Sequence, residues 1–581
     1  MIYKFNTTKV YRTGLCIFLF LLVQSCLPPV PPYPMAEKGK LDEQANRISS
    51  NLEEYIKKWH KGEASAELPL HLLPSGYDVT RYTNFRLVKP KDLTPEMVWV
   101  KRPAHEINFS TLYGSFPDPH CTYLLAPVLY APFGSTLIVQ GEFPYCRFFN
   151  IQVTPALDTR EYRYDKWSGK GEVAIVDADI EPMDGHVNPF RVGGNRLSKN
   201  RKYEVKYVMA LGNPSELNVA HRYPYRDKSN VRFGSAIQLQ GPWGNDKKSG
   251  HGRGIWDFGD VWIRYYAIDN AHYPDAGVPL PNLYFQLPTG EQFFIVADLK
   301  EFIKASEQTM PNRNKGNRHP SSYNGKHIGW DKQFGIFLQI ATGGAMALYK
   351  ETAKDKAYVR QLDLGVNGRG ENQPLPASLE AHATGCNYTG YLTSGISIKK
   401  GSVFILTGKM PTFPDTRNGS LVMKGAQCRY WSVTTYDAEF PFSAVKGLEN
   451  TSVMDDEIVL DENRKYILVY SRKEDRPKNA TRENGVTWVD WGNTCTQAFT
   501  LRWISVSPEW SFELTPNEEN LPWANATWSG TKYNRKLVGS NERGFLKEYH
   551  PLRHYLTKET FDRIPVKEWH TSEKIIWEEK N

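Results

Sequence analysis

Residues 134–149 read "GSTLIVQGEFPYCRFF"; residues 401–411 read "GSVFILTGKMP", with "CRYW" following at 428–431. Gly134-Ser135 and Gly401-Ser402 open the two blocks. Gly141 and Gly408 each follow seven positions later, Pro144 and Pro411 three after that, and each block closes on Cys-Arg-aromatic-aromatic. The second copy carries extra chain before its cysteine, "TFPDTRNGSLVMKGA" (412–426), rich in loop formers. "NRKY" recurs at 200–203 and 463–466, each time ahead of a β-prone run. "WDFGDVWIRYY" (256–266) aligns with "WVDWGNTCTQAFTLRW" (488–503), pairing Asp257 with Asp490 and Arg264 with Arg502. Four blocks in one order indicate a duplicated domain, at a period far too long for a solenoid or propeller blade.

The blocks are rich in Val, Ile, Tyr, Phe and Thr, alternate in part, and are bounded by Gly, Pro or Asn-Gly, which is strand chemistry. Strand, tight turn and second strand predict an antiparallel sandwich or barrel-like sheet in each copy. The expected fold is mainly β with some α: two tandem related antiparallel β-sandwich or barrel-like domains, at 105–295 and 375–545, joined by a helical region at 296–374. Within that joint, 296–306 and 334–362 read as helical. An N-terminal helical segment is expected at 41–104, where Ala45, Ile48, Leu52, Ile56 and Trp59 fall on one stripe. Residues 546–581 form a C-terminal extension.

Residues 1–25 carry Lys4, Lys9 and Arg12, the apolar run "GLCIFLFLLV" and then "QS" before Cys26. This is the pattern of a secretory signal, too short to span a bilayer. "LLVQSC" resembles the bacterial lipobox, with Cys26 as the lipidated residue. The proline-rich stretch behind it makes 26–40 a stiff tether. The expected location is the cell envelope, lipid-anchored on the periplasmic or surface side of a bacterial membrane. Losing three basic and no acidic residues with the signal lowers the formal charge from +8 to +5. No Lys/Arg-rich tract stands out, so nucleic acid is not an expected partner.

Beyond Cys16 in the signal and Cys26, five cysteines remain: Cys121, Cys146, Cys386, Cys428 and Cys495. Four fall at matching places in the copies. In an exported protein a duplicated cysteine pair reads as a duplicated disulfide, which predicts Cys121–Cys146 and Cys386–Cys428. Cys495 is left over as a buried or loose thiol. No Cys-x-x-Cys or zinc-type cysteine–histidine spacing occurs.

"PDPHCTYLLAPVLYAPFGSTLIVQGEFPYCRFF", "DADIEPMDGHVNPFRVGGNR" and "RKYEVKYV" resemble a β-rich family of bacterial proteins of unknown function. "CRYWSVTTYD", "GVTWVDW" and "FTLRWISVSPEW" resemble its related tandem domain. The resemblance covers residues 105–290 and 375–515 and implies a fold, with no activity to carry over. The chain departs from it in having Cys146 and Cys428 where alanine is expected, and Thr487 before Trp488.

The acidic turn 177–188 offers Asp177, Asp179, Glu181 and Asp184 as oxygen ligands for calcium, the one metal suggested. Pro182 stands where a helix–loop–helix calcium loop needs glycine. No other cofactor is expected. Arg147, Arg429, Arg264 and Arg502 recur in both copies, which favours internal salt bridges, with carboxylate or sulfate ligands as the alternative. Trp243, Arg253, Trp256 and Asp257 form the expected cleft-lining loop, with Arg264, Trp488, Asp490 and Arg502 as further ligand candidates. Exposed indoles would suit sugar rings.

Gly-x-Ser-x-Gly, His-Glu-x-x-His and the phosphate-binding glycine motifs are absent. The candidate acid–base residues are His120, His251 and Tyr265. The sequence therefore reads as an extracytoplasmic lipoprotein of an uncharacterised family, binding a glycan or other small, anionic ligand in a loop-lined cleft. The alternatives are a hydrolase or lyase acting on polysaccharide or esters, and an envelope structural or assembly protein.

Overall fold

The computed structural model describes residues 35–73, 84–102, 118–129, 131–132, 134–154, 173–210, 231–235, 259–270, 272–296, 366–367, 371–372, 389–398, 401–437, 451–492, 496–506, 549 and 551–564. The fold is mainly β. In the first copy one sheet runs β2 (Val100–Arg102), β3 (Cys121–Leu129), β9 (Gly259–Ile268), β5 (Cys146–Thr154), β6 (Val173–Val176). Its partner runs β1 (Arg86–Val88), β11 (Gln292–Val296), β10 (Asn282–Gln286), β4 (Thr136–Glu142), β7 (Lys202–Ala210), β8 (Val231–Ser235). Leu137, Val139, Tyr203, Val205 and Tyr207 of one sheet are buried in one core with Phe149, Ile151, Ile263 and Tyr265 of the other. The Tyr207 hydroxyl crosses to the Ile151 carbonyl at 3.0 Å.

The second copy repeats this plan. One sheet runs β14 (Thr389–Ser397), β20 (Thr496–Val506), β16 (Cys428–Asp437), β17 (Ser452–Met454). The other runs β19 (Val486–Asp490), β18 (Lys465–Ser471), β15 (Val403–Lys409), β21 (Leu552–Leu556). Strand for strand, β3-β9-β5-β6 corresponds to β14-β20-β16-β17, and β10-β4-β7-β8 to β21-β15-β18-β19. Even the parallel pairing of β7 with β8 recurs between β18 and β19. A short ribbon pairs β12 (Val366–Asn367) with β13 (Glu371–Asn372).

The repeated glycines have one cause. Gly141 pairs with Tyr203 across β4 and β7, and Gly408 with Tyr466 across β15 and β18. A Cβ at either glycine would lie 2.7 or 2.6 Å from the tyrosine hydroxyl opposite. The "NRKY" block thus explains the glycine in the other block. Both copies also carry a left-handed residue at the same point of the long central strand, Ala267 (φ 48°) and Ser505 (φ 53°). Such conformations are uncommon for residues other than glycine and mark a local kink.

Helices are few. In α1 (Met35–Lys61), Leu52 and Ile56 are fully buried and Ile48 and Trp59 pack on the first core, as the stripe predicts. The other described residues of 41–104 are less helical than expected: β1 and β2 extend the first sandwich, and α2 (Pro95–Val98) is one turn. Val296 ends a strand, and the remainder of the expected joint helices lies outside the described residues. From the C-terminal extension, β21 completes the second sandwich. α3 (Lys558–Arg563) covers its outer face, where Phe561 packs with Ile405, Val469 and Trp488.

The disulfide expectation fails. Cys121, Cys146 and Cys428 are buried free thiols, each pushed well above the ordinary range by burial. The reason is topological: β9 runs between β3 and β5, so Cys121 and Cys146 sit on strands about 9–10 Å apart. A disulfide needs Cα atoms within about 7 Å. In the second copy β20 separates β14 from β16 in the same way; Cys386 and Cys495 lie outside the described residues. Register also moves the cysteine alignment. Cys121 faces Tyr266 and Thr389 faces Ile504, so the counterpart of Cys121 is Thr389.

Candidate functional site

The two sandwiches meet along a polar seam built from equivalent residues. Asp177 and Asp455 each open a three-residue 3-10 turn, 177–179 and 455–457. Each then accepts from a backbone N–H on the neighbouring strand, Phe149 at 2.8 Å and Trp431 at 2.9 Å. Arginines next to the duplicated cysteines reach across. Arg147 of the first copy pairs with Asp455 and, at 2.7 Å, with Asp456. Arg429 of the second copy donates to the Phe190 carbonyl and lies in the field of Asp177 and Asp179. Burial pushes Asp177 up to about 6 despite Arg429.

A second tie runs the other way. Asp118, fully buried before β3, receives Arg502, the Tyr430 hydroxyl at 2.7 Å and the Ser432 hydroxyl at 2.9 Å. Burial works to raise its pKa, but Arg502, His120 and these hydrogen bonds outweigh it and hold the carboxyl below the usual range. The rings of Tyr266 and Tyr430 meet at a tilt, centroids 5.2 Å apart, beside this pair.

The sequence candidates fall into three groups. Arg264 and Arg502 are buried and bonded within the protein, Arg264 to the Gln152 side chain at 2.5 Å. Trp488 is buried in the second sandwich's outer core, donating to Ser471 at 2.9 Å with Arg476 over its ring. Asp490 turns back onto the Gly492 N–H at 2.9 Å. It lies on β19, the counterpart of β8, whereas Asp257 precedes β9 in sequence, so their alignment is corrected.

Among the acid–base candidates, Tyr265 lies in the first core with its hydroxyl pushed well above the ordinary range by burial. His120 is buried at the seam, its Nε2 3.8 Å from Glu457. Asp177 is committed to the seam, Asp184 is exposed and Asp179 half-buried. Among the described residues no three or more His, Cys, Asp or Glu are placed to hold a metal ion. Cys26, Trp243, His251, Arg253, Trp256 and Asp257 lie outside the described residues.

The arrangement that sequence reading missed sits on the repeated "NRKY" block. Arg201 and Arg464 are equivalent: the carbonyl of each accepts a backbone bond at 2.8 Å, from Phe143 and from Met410. Arg464 uses its guanidinium on its own copy, bonding the Met410 carbonyl at 3.1 Å and the Pro411 carbonyl at 2.7 Å. Arg201 does not. It is 2% exposed and gives one bond, from Nη2 to the Arg196 carbonyl at 2.8 Å; Nε and Nη1 have no partner. No carboxylate pairs with it among the described residues.

Arg201 stacks on Tyr145, 3.6 Å from the ring centroid, and Tyr145 meets the exposed Tyr273 edge-on at 5.9 Å. A second buried arginine, Arg196, stands alongside, paired with Asp269. The loop over Tyr145 is unusual. Asp275, Ala276 and Gly277 are all left-handed, pinned by Lys101 on Asp275 and by the Tyr145 N–H on the Ala276 carbonyl at 2.8 Å. A buried guanidinium with unpaired donors is costly unless an acceptor arrives. Arg201 thus keeps two unbonded donors behind the rings of Tyr145 and Tyr273.

No family model and no curated protein matches the chain. Two solved bacterial structures are similar to it at low level. An uncharacterised protein from Burkholderia cenocepacia has 12% identity and a TM-score of 0.34, over 85% of this chain and 93% of that one. The VPA0106 protein from Vibrio parahaemolyticus has 13% identity and a TM-score of 0.27, over 69% and 86%.

Proposed function

We propose that the chain is an extracytoplasmic, lipid-tethered binding protein for an anionic ligand, preferentially an acidic glycan, and that Arg201 reads its acidic group. The observation that carries this is the divergence of two equivalent arginines. Arg464 closes on its own backbone, while Arg201 leaves N–H groups open on both edges of its fork. What both copies share serves the fold; what one copy keeps open is available for a ligand. A carboxylate or sulfate matches a guanidinium fork. Tyr145 and Tyr273 offer ring faces with polar tips beside it, as a sugar requires.

The test is titration calorimetry with uronic-acid, sulfated and neutral oligosaccharides, with mass spectrometry of the mixture. The expected result is binding of acidic members only, with no product. Binding is lost in Arg201→Met and kept in Arg464→Met. Equal binding of neutral sugars, or a cleaved product, contradicts the proposal.

A further inference from the structure

Six of the eight large apolar side chains exposed among the described residues fall on two segments, 183–197 and 421–422. Met183, Val187, Val192 and Leu197 come from the first copy's loop after β6; Leu421 and Val422 come from the insertion that only the second copy carries. Backbone bonds stitch the two segments into one ribbon. The Gly193 N–H donates to the Met423 carbonyl at 2.8 Å and the Arg196 N–H to the Leu421 carbonyl at 3.0 Å, around an Asn195–Val422 bridge. Val192, Leu421 and Leu197 are 71, 62 and 61% exposed. Side chains that open project from a ridge; they do not line a groove.

The charge around them is one-sided. Lys199, Lys202 and Lys424 are exposed along the same ribbon, while Arg191 is engaged by Glu181 at 2.6 Å. Asp184 is the one exposed acid on these segments. Projecting apolar side chains fringed by lysines have the chemistry of a surface that sits in the headgroup region of an anionic bilayer.

We infer that this ridge is a membrane-contact surface for anionic lipid. The apolar side chains enter the headgroup boundary and the lysines meet lipid phosphates. The seam fixes the ridge's shape, because each copy contributes one of its two segments. The inference uses the tethered reading only for location and does not depend on the Arg201 site.

Sedimentation with vesicles tests it, using the chain from residue 26 onward with Cys26→Ser, so that no lipid anchor contributes. The vesicles are phosphatidylglycerol mixed with phosphatidylethanolamine, against pure phosphatidylcholine. Binding is expected on the anionic vesicles and to weaken as salt rises. Val192→Ser/Leu421→Ser lowers it about tenfold. Lys199→Ala/Lys202→Ala/Lys424→Ala lowers it on the order of a hundredfold and removes the salt dependence. Arg201→Met leaves vesicle binding unchanged, and the ridge variants leave oligosaccharide binding unchanged. Melting temperatures within a few degrees of the parent show that the surface changes leave the fold intact. Absence of binding to anionic vesicles overturns the inference, as do unaltered binding by both ridge variants and a ridge-dependent dimer that ignores vesicles.

Discussion

Two buried aspartates at the seam carry opposite proton affinities, and each makes a prediction. Asp118 is held below the ordinary carboxylate range, so the folded chain binds its proton less readily than the unfolded chain. Its contribution is present above about pH 4 and is lost as pH falls through the depressed value. Asp118→Asn leaves Arg502 buried without its counter-ion and is expected to cost about 3–5 kcal/mol near neutrality. The deficit against wild type should shrink as denaturation is followed to lower pH. Asp177 is raised to about 6, so the folded chain holds its proton longer than the unfolded one. Stability therefore falls as pH rises from about 4 to 6, by roughly 2–3 kcal/mol, and Asp177→Asn should remove that fall. Urea titrations at stepped pH check both. The seam roles of Arg147 and Arg502 were half-legible, because duplicated arginines argued for internal pairing. Asp118 was not: it lies before the first repeated block and has no duplicate to draw the eye.

Strand alternation and turn residues located each copied hairpin, because period-two burial writes itself directly into sequence. The strand order within each sheet was not written there. Nothing in "CRFF" or "CTYLL" says that β9 comes from more than a hundred residues away to separate them, and that insertion leaves Cys121 and Cys146 as free thiols. Cys121, Cys146 and Cys428 should stay unreactive to a thiol reagent in the native protein. All three should label in denaturant without any reductant. Recovery of a Cys121–Cys146 peptide pair would contradict the strand order. The glycine–tyrosine crossing makes a second prediction. Gly141→Ala forces a methyl onto Tyr203 and should destabilise by about 1–3 kcal/mol. Tyr203→Phe in the same chain should recover part of the loss, since the hydroxyl is the nearest clash. The open guanidinium of Arg201 lay within reach of sequence reading, in a block noticed for its repetition. What distinguishes it from Arg464 is a neighbouring carbonyl, and no residue type reports that.

At the scale of the molecule, the copies are joined by pairs that neither could satisfy alone. Met423, Tyr430, Met454 and Ile504 of the second copy belong to the apolar cluster of the first, and the ion pairs of Arg147 and Asp118 run across the seam. The exposed ridge depends on this union, which holds together its two segments. Differential scanning calorimetry of the whole chain and of Arg147→Ala tests the union most directly. One cooperative transition is predicted, moved as a whole to lower temperature by the substitution. Two separate transitions, with Arg147→Ala shifting one and leaving the other in place, would contradict it.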